Sequence, residues 1–305
     1  MNGRIFVIIL CVVIIVFAIV SITLLPKREE RVMPAMVSAT ETAATTEATT
    51  TTFTEETTIT TTAIPMTTAA ETTTKTFIMP QTAYIEMENI LQLPELPTGC
   101  EITAFTILLN FYGYDAEKTD MAKNHLPISW GNVKTVDGEV YKDSFFEYFI
   151  GDPFGNGYGC FAPAIMKAAE SYLPGRETES GKTYIAENIS GATPEELYSY
   201  IGAGTPVLCW ATDGMIEPEY KESWIDNETG EKLDWYYHEH CFVLVGYDDN
   251  IVTLSDPMKG IISYNRQRFE LRYSQMYSQA IILKEYEYTE SNSDLHPQTL
   301  SDTGM

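Results

Sequence analysis

A thiol, an imidazole and a carboxylate can together make sulfur attack a carbonyl, and this chain offers one well-placed candidate of each. Cys100 ends the stretch Leu93-Pro94-Glu95-Leu96-Pro97-Thr98-Gly99-Cys100 and is followed by Glu101. Prolines and a glycine hold the approach out of regular structure. Apolar residues at Ile102, Phe105, Leu108, Leu109 and Tyr112 then recur at helical spacing. The spacing predicts a helix that begins at or beside the cysteine. In a first turn, unpaired N–H groups and the positive end of the helix dipole favour the thiolate, the nucleophilic form. Most lone cysteines are buried hydrophobes, but Cys100 sits at a glycine junction and not inside an apolar run.

His240 opens the apolar run Cys241 to Gly246, and Asp256 closes the next one, in Ser255-Asp256-Pro257. As strands of a hairpin, the two runs bring Asp256 to His240. The carboxylate then fixes the tautomer of the imidazole while the other ring nitrogen serves the thiol. On a strand His240 shares a face with Phe242 and His238, and Cys241 points the other way. His238, His240 and Cys241 are also zinc-ligand types, but that alternation separates the thiol from both rings, so no metal and no cofactor is expected. Trp210, Trp224, Trp235 and Tyr237 are candidates for a substrate groove.

Several elements must position these groups. Helices are predicted over 102–112, over 117–126 ahead of Pro127, and over 162–173. A fourth opens at Thr193-Pro194-Glu195-Glu196, where a capping threonine, a first-turn proline and a glutamate at the third position coincide. The stretch 145–159, with Gly151-Asp152-Pro153 and Gly155-Asn156-Gly157-Tyr158-Gly159, reads as turns. Strands are predicted over 206–212, 241–247, 251–255, 261–264 and 279–284. Helices first and strands second describe an α+β domain.

The chain carries a formal net charge of -24, which repels a phosphate backbone and excludes nucleic acid as a partner. Its five cysteines show no C-x-x-C pair or dense disulfide framework. Residues 5–25 are uncharged and rich in Ile and Val; as a helix they span about 31 Å, the thickness of a bilayer core. No small-residue cleavage site follows, so this segment is expected to be a transmembrane signal anchor behind a four-residue cytoplasmic N-terminus. Between Thr40 and Thr76, 20 of 37 residues are threonine. A disordered Thr-rich stalk is therefore expected over 26–83. Lys27, Arg28 and Arg31 would draw the C-terminal side inward. The stalk composition argues for an extracellular domain and outweighs them. The folded domain is expected over 84–286, with a disordered tail over 287–305.

The stretches Pro97-Thr98-Gly99-Cys100-Glu101, Gly151-Asp152-Pro153-Phe154, Gly159-Cys160-Phe161-Ala162-Pro163, Glu239-His240-Cys241-Phe242-Val243-Leu244-Val245-Gly246-Tyr247-Asp248 and Ser255-Asp256-Pro257 resemble the exported C39-like branch of the cysteine peptidases related to bacteriocin-processing, double-glycine peptidases. The resemblance implies a papain-like fold with N-terminal helices and a C-terminal antiparallel sheet. It also implies a bacterial, Gram-positive source and a peptide or protein substrate, with Cys100, His240 and Asp256 as the triad. The leader-processing enzymes carry Asp-Cys-Gly at the nucleophile where this chain has Gly99-Cys100-Glu101. Their oxyanion glutamine lies where this chain has Pro94, and Gln92 is the nearby counterpart. The expected activity is hydrolysis of a peptide or related amide. A catalytically inactive peptide- or cell-wall-binding module and a thioester-dependent acyltransferase are the alternatives.

Overall fold

The computed structural model describes residues 80–286, so the expected membrane span, the tail and nearly all of the stalk lie outside the described residues. No helix among the described residues is long and apolar enough to cross a membrane.

The first helix, α1 (Cys100–Phe111), starts at the cysteine itself, and every residue from Cys100 to Leu109 is buried. A helix buried on all sides belongs in the middle of a core, and α1 lies against the strand β11 (Glu239–Tyr247). The 117–126 segment forms a short helix, α2 (Lys118–Asp120), continued by a π-helical turn at Met121–His125. Next comes α3 (Ala162–Tyr172). In α4 (Pro194–Gly202) the Thr193–Glu196 capping box is formed in both directions.

The main sheet has the order β13-β12-β11-β8-β14-β7: Gly260–Asn265, Ile251–Asp256, β11, Val207–Thr212, Ala280–Glu285 and Tyr184–Asn188. A short β1 (Ala83–Tyr84) adds to β11. All pairings in this sheet are antiparallel. Side chains alternate between its faces. Leu208, Trp210, Cys241, Val243, Ile281 and Leu283 join the core around α1 and α3. Val207, Cys209, Phe242, Leu244, Ala280 and Ile282 join a second core under α4 and α5 (Arg266–Gln275). Both faces of the central strands are thus covered, which explains why they read as unbroken apolar runs rather than alternating ones.

Three expectations are corrected. The stretch read as turns contains two strands, β5 (Phe149–Gly151) and β6 (Gly157–Gly159). Gly151 (φ +108) and Gly159 (φ +133) supply backbone geometry that other residues rarely adopt. β5 also pairs in parallel with β2 (Ile128–Ser129). A second sheet, β10-β9-β4-β3, is built from Lys232–Tyr237, Glu219–Asp226, Glu139–Lys142 and Lys134–Val136. Finally, α5 falls among the C-terminal strands, so helices and strands are not strictly segregated along the chain.

Candidate active site

Gly99 caps α1 without a side-chain hydrogen bond, and Thr103 holds its carbonyl from inside the helix through both N–H (3.1 Å) and Oγ1 (2.7 Å). Thr98 Oγ1 donates to the Asp152 carbonyl at 3.0 Å. The loop before Cys100 is therefore fastened to the β5–β6 turn. On its other side the Gln92 N–H donates to the Pro257 carbonyl at 2.8 Å. That bond ties the approach to Cys100 to the turn that follows Asp256.

His240 and Asp256 are brought together. His240 Nε2 lies 2.8 Å from Asp256 Oδ1, with both side chains buried. Oδ1 also accepts the Met258 N–H at 2.7 Å. An ionised carboxylate can only accept, so Nε2 carries the hydrogen of this bond, and in the neutral ring Nδ1 becomes the acceptor. Burial pushes the Asp256 carboxyl up, but the hydrogen bond and charge of His240, the Met258 N–H and Lys259 outweigh it and leave it below the usual value. Asp256 Oδ2 is buried without a partner. A second carboxylate, Asp213, comes within 4.8 Å of the His240–Asp256 pair and is itself paired with Lys259. Sequence reasoning missed Asp213. Its signal is its place just after β8, the strand that pairs with β11 through Thr212 and Glu239.

His238 does not share the face of His240. It precedes β11 in a left-handed turn (φ 71), is exposed, and its carbonyl accepts the Asp213 N–H. The phenyl ring of Phe242 does lie edge-on to His240, with centroids 4.5 Å apart. Cys241 faces the opposite core, as alternation requires.

The thiol has a different neighbour from the one expected. Cys100 Sγ donates to Glu101 Oε2 at 3.3 Å, and Glu101 Oε1 accepts the Cys160 N–H at 2.7 Å. The Cys160 carbonyl in turn accepts Trp210 Nε1 at 2.9 Å. Glu239, on the strand position before His240, approaches the same place: ligand atoms of Cys100, Glu101 and Glu239 all lie within 4.8 Å of one another. Burial, followed by the charges of Glu101 and Glu239, pushes the Cys100 thiol well above its ordinary value, while the Cys241 backbone amide pulls the other way. The expected preference for thiolate at the helix start is thus reversed in this arrangement. Burial also raises Glu101, and it raises Glu239 together with the charge of Glu101.

Gln92 is buried, with Nε2 donating to the Leu96 and Pro97 carbonyls at 3.0 and 3.2 Å and Oε1 without a partner. Trp210, Trp224 and Trp235 are core residues and not groove walls, since each is buried among apolar neighbours; Tyr237 alone of the four is exposed. Packing an indole into a small domain buries more apolar surface than any other side chain can offer, which decides its place.

A sequence profile of the Peptidase_C39 like family matches residues 83–281, most of the described chain. The chain belongs to this family. It is 26% identical over 199 residues to the uncharacterized protein YvpB of Bacillus subtilis (strain 168), a match that covers 64% of this chain and 73% of that one. A crystal structure described as that of a C39-like peptidase from Bacillus anthracis superposes with a TM-score of 0.57 at 29% identity, covering 69% of this chain and all of that one. The C39-like fold, a mostly antiparallel sheet with helices on both faces, is thus common to this domain and its relatives.

Proposed function

We propose that this C39-like domain hydrolyses a peptide or related amide bond through an acyl-thioester at Cys100. The observation that carries the reading is the buried His240–Asp256 pair, whose geometry presents Nδ1 as the proton acceptor. In this reading Nδ1 takes the thiol proton as Sγ bonds to the scissile carbonyl carbon, and the carbonyl oxygen becomes an oxyanion. The imidazolium then gives that proton to the leaving amine as the C–N bond breaks. Water attacks the thioester with His240 again as base, and the carboxylic acid leaves Cys100 as a thiol. The Cys100 N–H at the helix start is one oxyanion donor. Gln92 is the second, by turning Nε2 away from Leu96 and Pro97. No metal or cofactor takes part in this scheme.

The test is digestion of a peptide library by the full chain, with Cys100→Ala as control and products read by mass spectrometry. Cleavage by wild type and none by the variant supports the reading. A second reading, a peptide-binding module without turnover, is favoured by one observation: the thiol is held by Glu101 and not by an imidazole. Peptides retained but never cut by wild type would select it.

The domain is further proposed to be carried outside a bacterial cell on a single-pass anchor, residues 5–25, and a stalk that ends before Pro80, since the Pro80 carbonyl accepts the Tyr247 hydroxyl and Ala83 belongs to β1. The apolar span and the threonine content motivate this reading. Retention in the membrane fraction at high salt, release by detergent and shaving by protease added to intact cells are the expected results. Protection of the domain in intact cells would reverse the topology.

A further inference from the structure

The two acids beside the nucleophile are on no account ordinary neighbours. Glu101 is the one charged residue type in the buried stretch of α1 from Cys100 to Leu109, and it is fully buried. One of its oxygens is fixed by the Cys160 N–H, and the other takes the Cys100 thiol. Glu239 comes from β11 to meet it, with Oε1 buried and unpartnered. Gly159 is the floor that lets them meet. A Cβ there would lie 2.6 Å from Glu101 Oε1 and 2.8 Å from Glu239 Oε2. Among the described residues no lysine or arginine forms a salt bridge with either acid. The titratable groups around them are Cys100 from α1, Cys160 from the segment after β6, and His240 and Cys241 from β11.

Two carboxyls this close in a buried site do not both ionise readily, because each charge opposes the other. We propose that Glu101 and Glu239 act as one acid pair that positions the Cys100 S–H and sets the pH at which the thiolate forms. While the pair bears negative charge, Glu101 Oε2 accepts the thiol hydrogen and opposes a second anion on sulfur. Loss of that charge removes the opposition and frees the thiol to turn towards the imidazole. Glu101 is a positioning residue, since it acts through Cys100.

This inference rests on Cys100 as the nucleophile and deepens that reading. The test is the pH dependence of Cys100 alkylation by iodoacetamide in the full chain, followed site by site by mass spectrometry, in wild type, Glu101→Gln and the double variant Glu101→Gln/Glu239→Gln. Glutamine keeps an oxygen for the Cys160 N–H, and continued protection of Cys160, Cys209 and Cys241 reports an intact fold. Glu101→Gln is expected to lower the midpoint by one pH unit or more, which is about tenfold faster labelling well below the wild-type midpoint. The double variant should lower it further, because the single one leaves Glu239 able to carry charge. Superimposable profiles for wild type and Glu101→Gln would overturn the proposal. Equal midpoints for single and double variants would remove Glu239 from it. A wild-type Cys100 that never labels in the folded chain would instead defeat the nucleophile reading itself.

Discussion

His240 and Asp256 face each other across 2.8 Å inside the protein, at the start of one strand and the end of its hairpin partner. The bond is made by the register of β11 and β12, with Val243 opposite Ser255. It therefore depends on sheet formation and not on a flexible loop. Both side chains are buried, so neither lines an open cleft. Their substitution must be judged against stability as well as turnover.

The two histidines of the His238-Glu239-His240 segment should separate cleanly. His240→Ala is expected to lower kcat by at least about 10²–10⁴, the usual worth of a general acid–base. His238→Gly should keep turnover and gain up to about 1 kcal/mol, because φ 71 suits glycine. Steady-state kinetics with thermal unfolding decides it. A dead His238→Gly beside an active His240→Ala would reassign the base.

Asp256→Asn keeps an oxygen for the His240 and Met258 donors but places an amide where Oδ2 has no partner. Residual turnover is expected, with a loss of about 1.5–3 kcal/mol at neutral pH for a charged hydrogen bond. The folded-state pKa of Asp256 lies below its ordinary value. Its contribution is therefore complete above the unfolded-state pKa and lost as pH falls through the folded one. The melting-temperature gap between wild type and variant should be widest near neutrality and close in acid. A gap that stays constant down to strongly acid pH would contradict this.

Gly159→Ala forces a Cβ into the two glutamates at a positive φ. A stability loss of about 1–3 kcal/mol is expected. Cys100 reactivity should change with it, since Glu101 must shift to make room. Chemical denaturation and thiol labelling check both parts.

Gln92→Ala removes both donors to the Leu96 and Pro97 carbonyls. A loss of about 1 kcal/mol of stability is expected for the lost hydrogen bonds, since the Leu96 carbonyl keeps the Gly99 N–H and Pro97 is exposed. If Nε2 also turns to the oxyanion, kcat falls by about 10²–10³ at a temperature where both proteins are folded. An unchanged kcat would restrict Gln92 to holding the loop.

Much of the positioning machinery is legible in local sequence. The start of α1 at Cys100, the capping box at Thr193 and Glu196, and the hairpin that carries His240 and Asp256 all rest on short-range signals. What was not legible depends on distant partners. The strand Glu219–Asp226 is rich in charge, with only Trp224 and Asp226 fully buried, so neither alternation nor an apolar run announces it. Arg266–Gln275 is a polar helix started by Asn265, whose side chain accepts the Arg268 N–H. Glu101 was visible as a departure from the leader-processing pattern. That it would be buried against Glu239 could not be read, because the encounter needs α1, β6 and β11 in place together.

The final described strand, Ala280–Glu285, is inserted between Val207–Thr212 and Tyr184–Asn188 rather than added at an edge. A nascent chain therefore holds a gap in its main sheet until Ala280–Glu285 has been made, and the long-range pairings that fill it are the slow kind. Cys100 is translated long before that gap closes. In the reading proposed above, cleavage by this thiol therefore waits until that strand has been made and docked, so the domain carries a built-in delay between the synthesis of its thiol and its use.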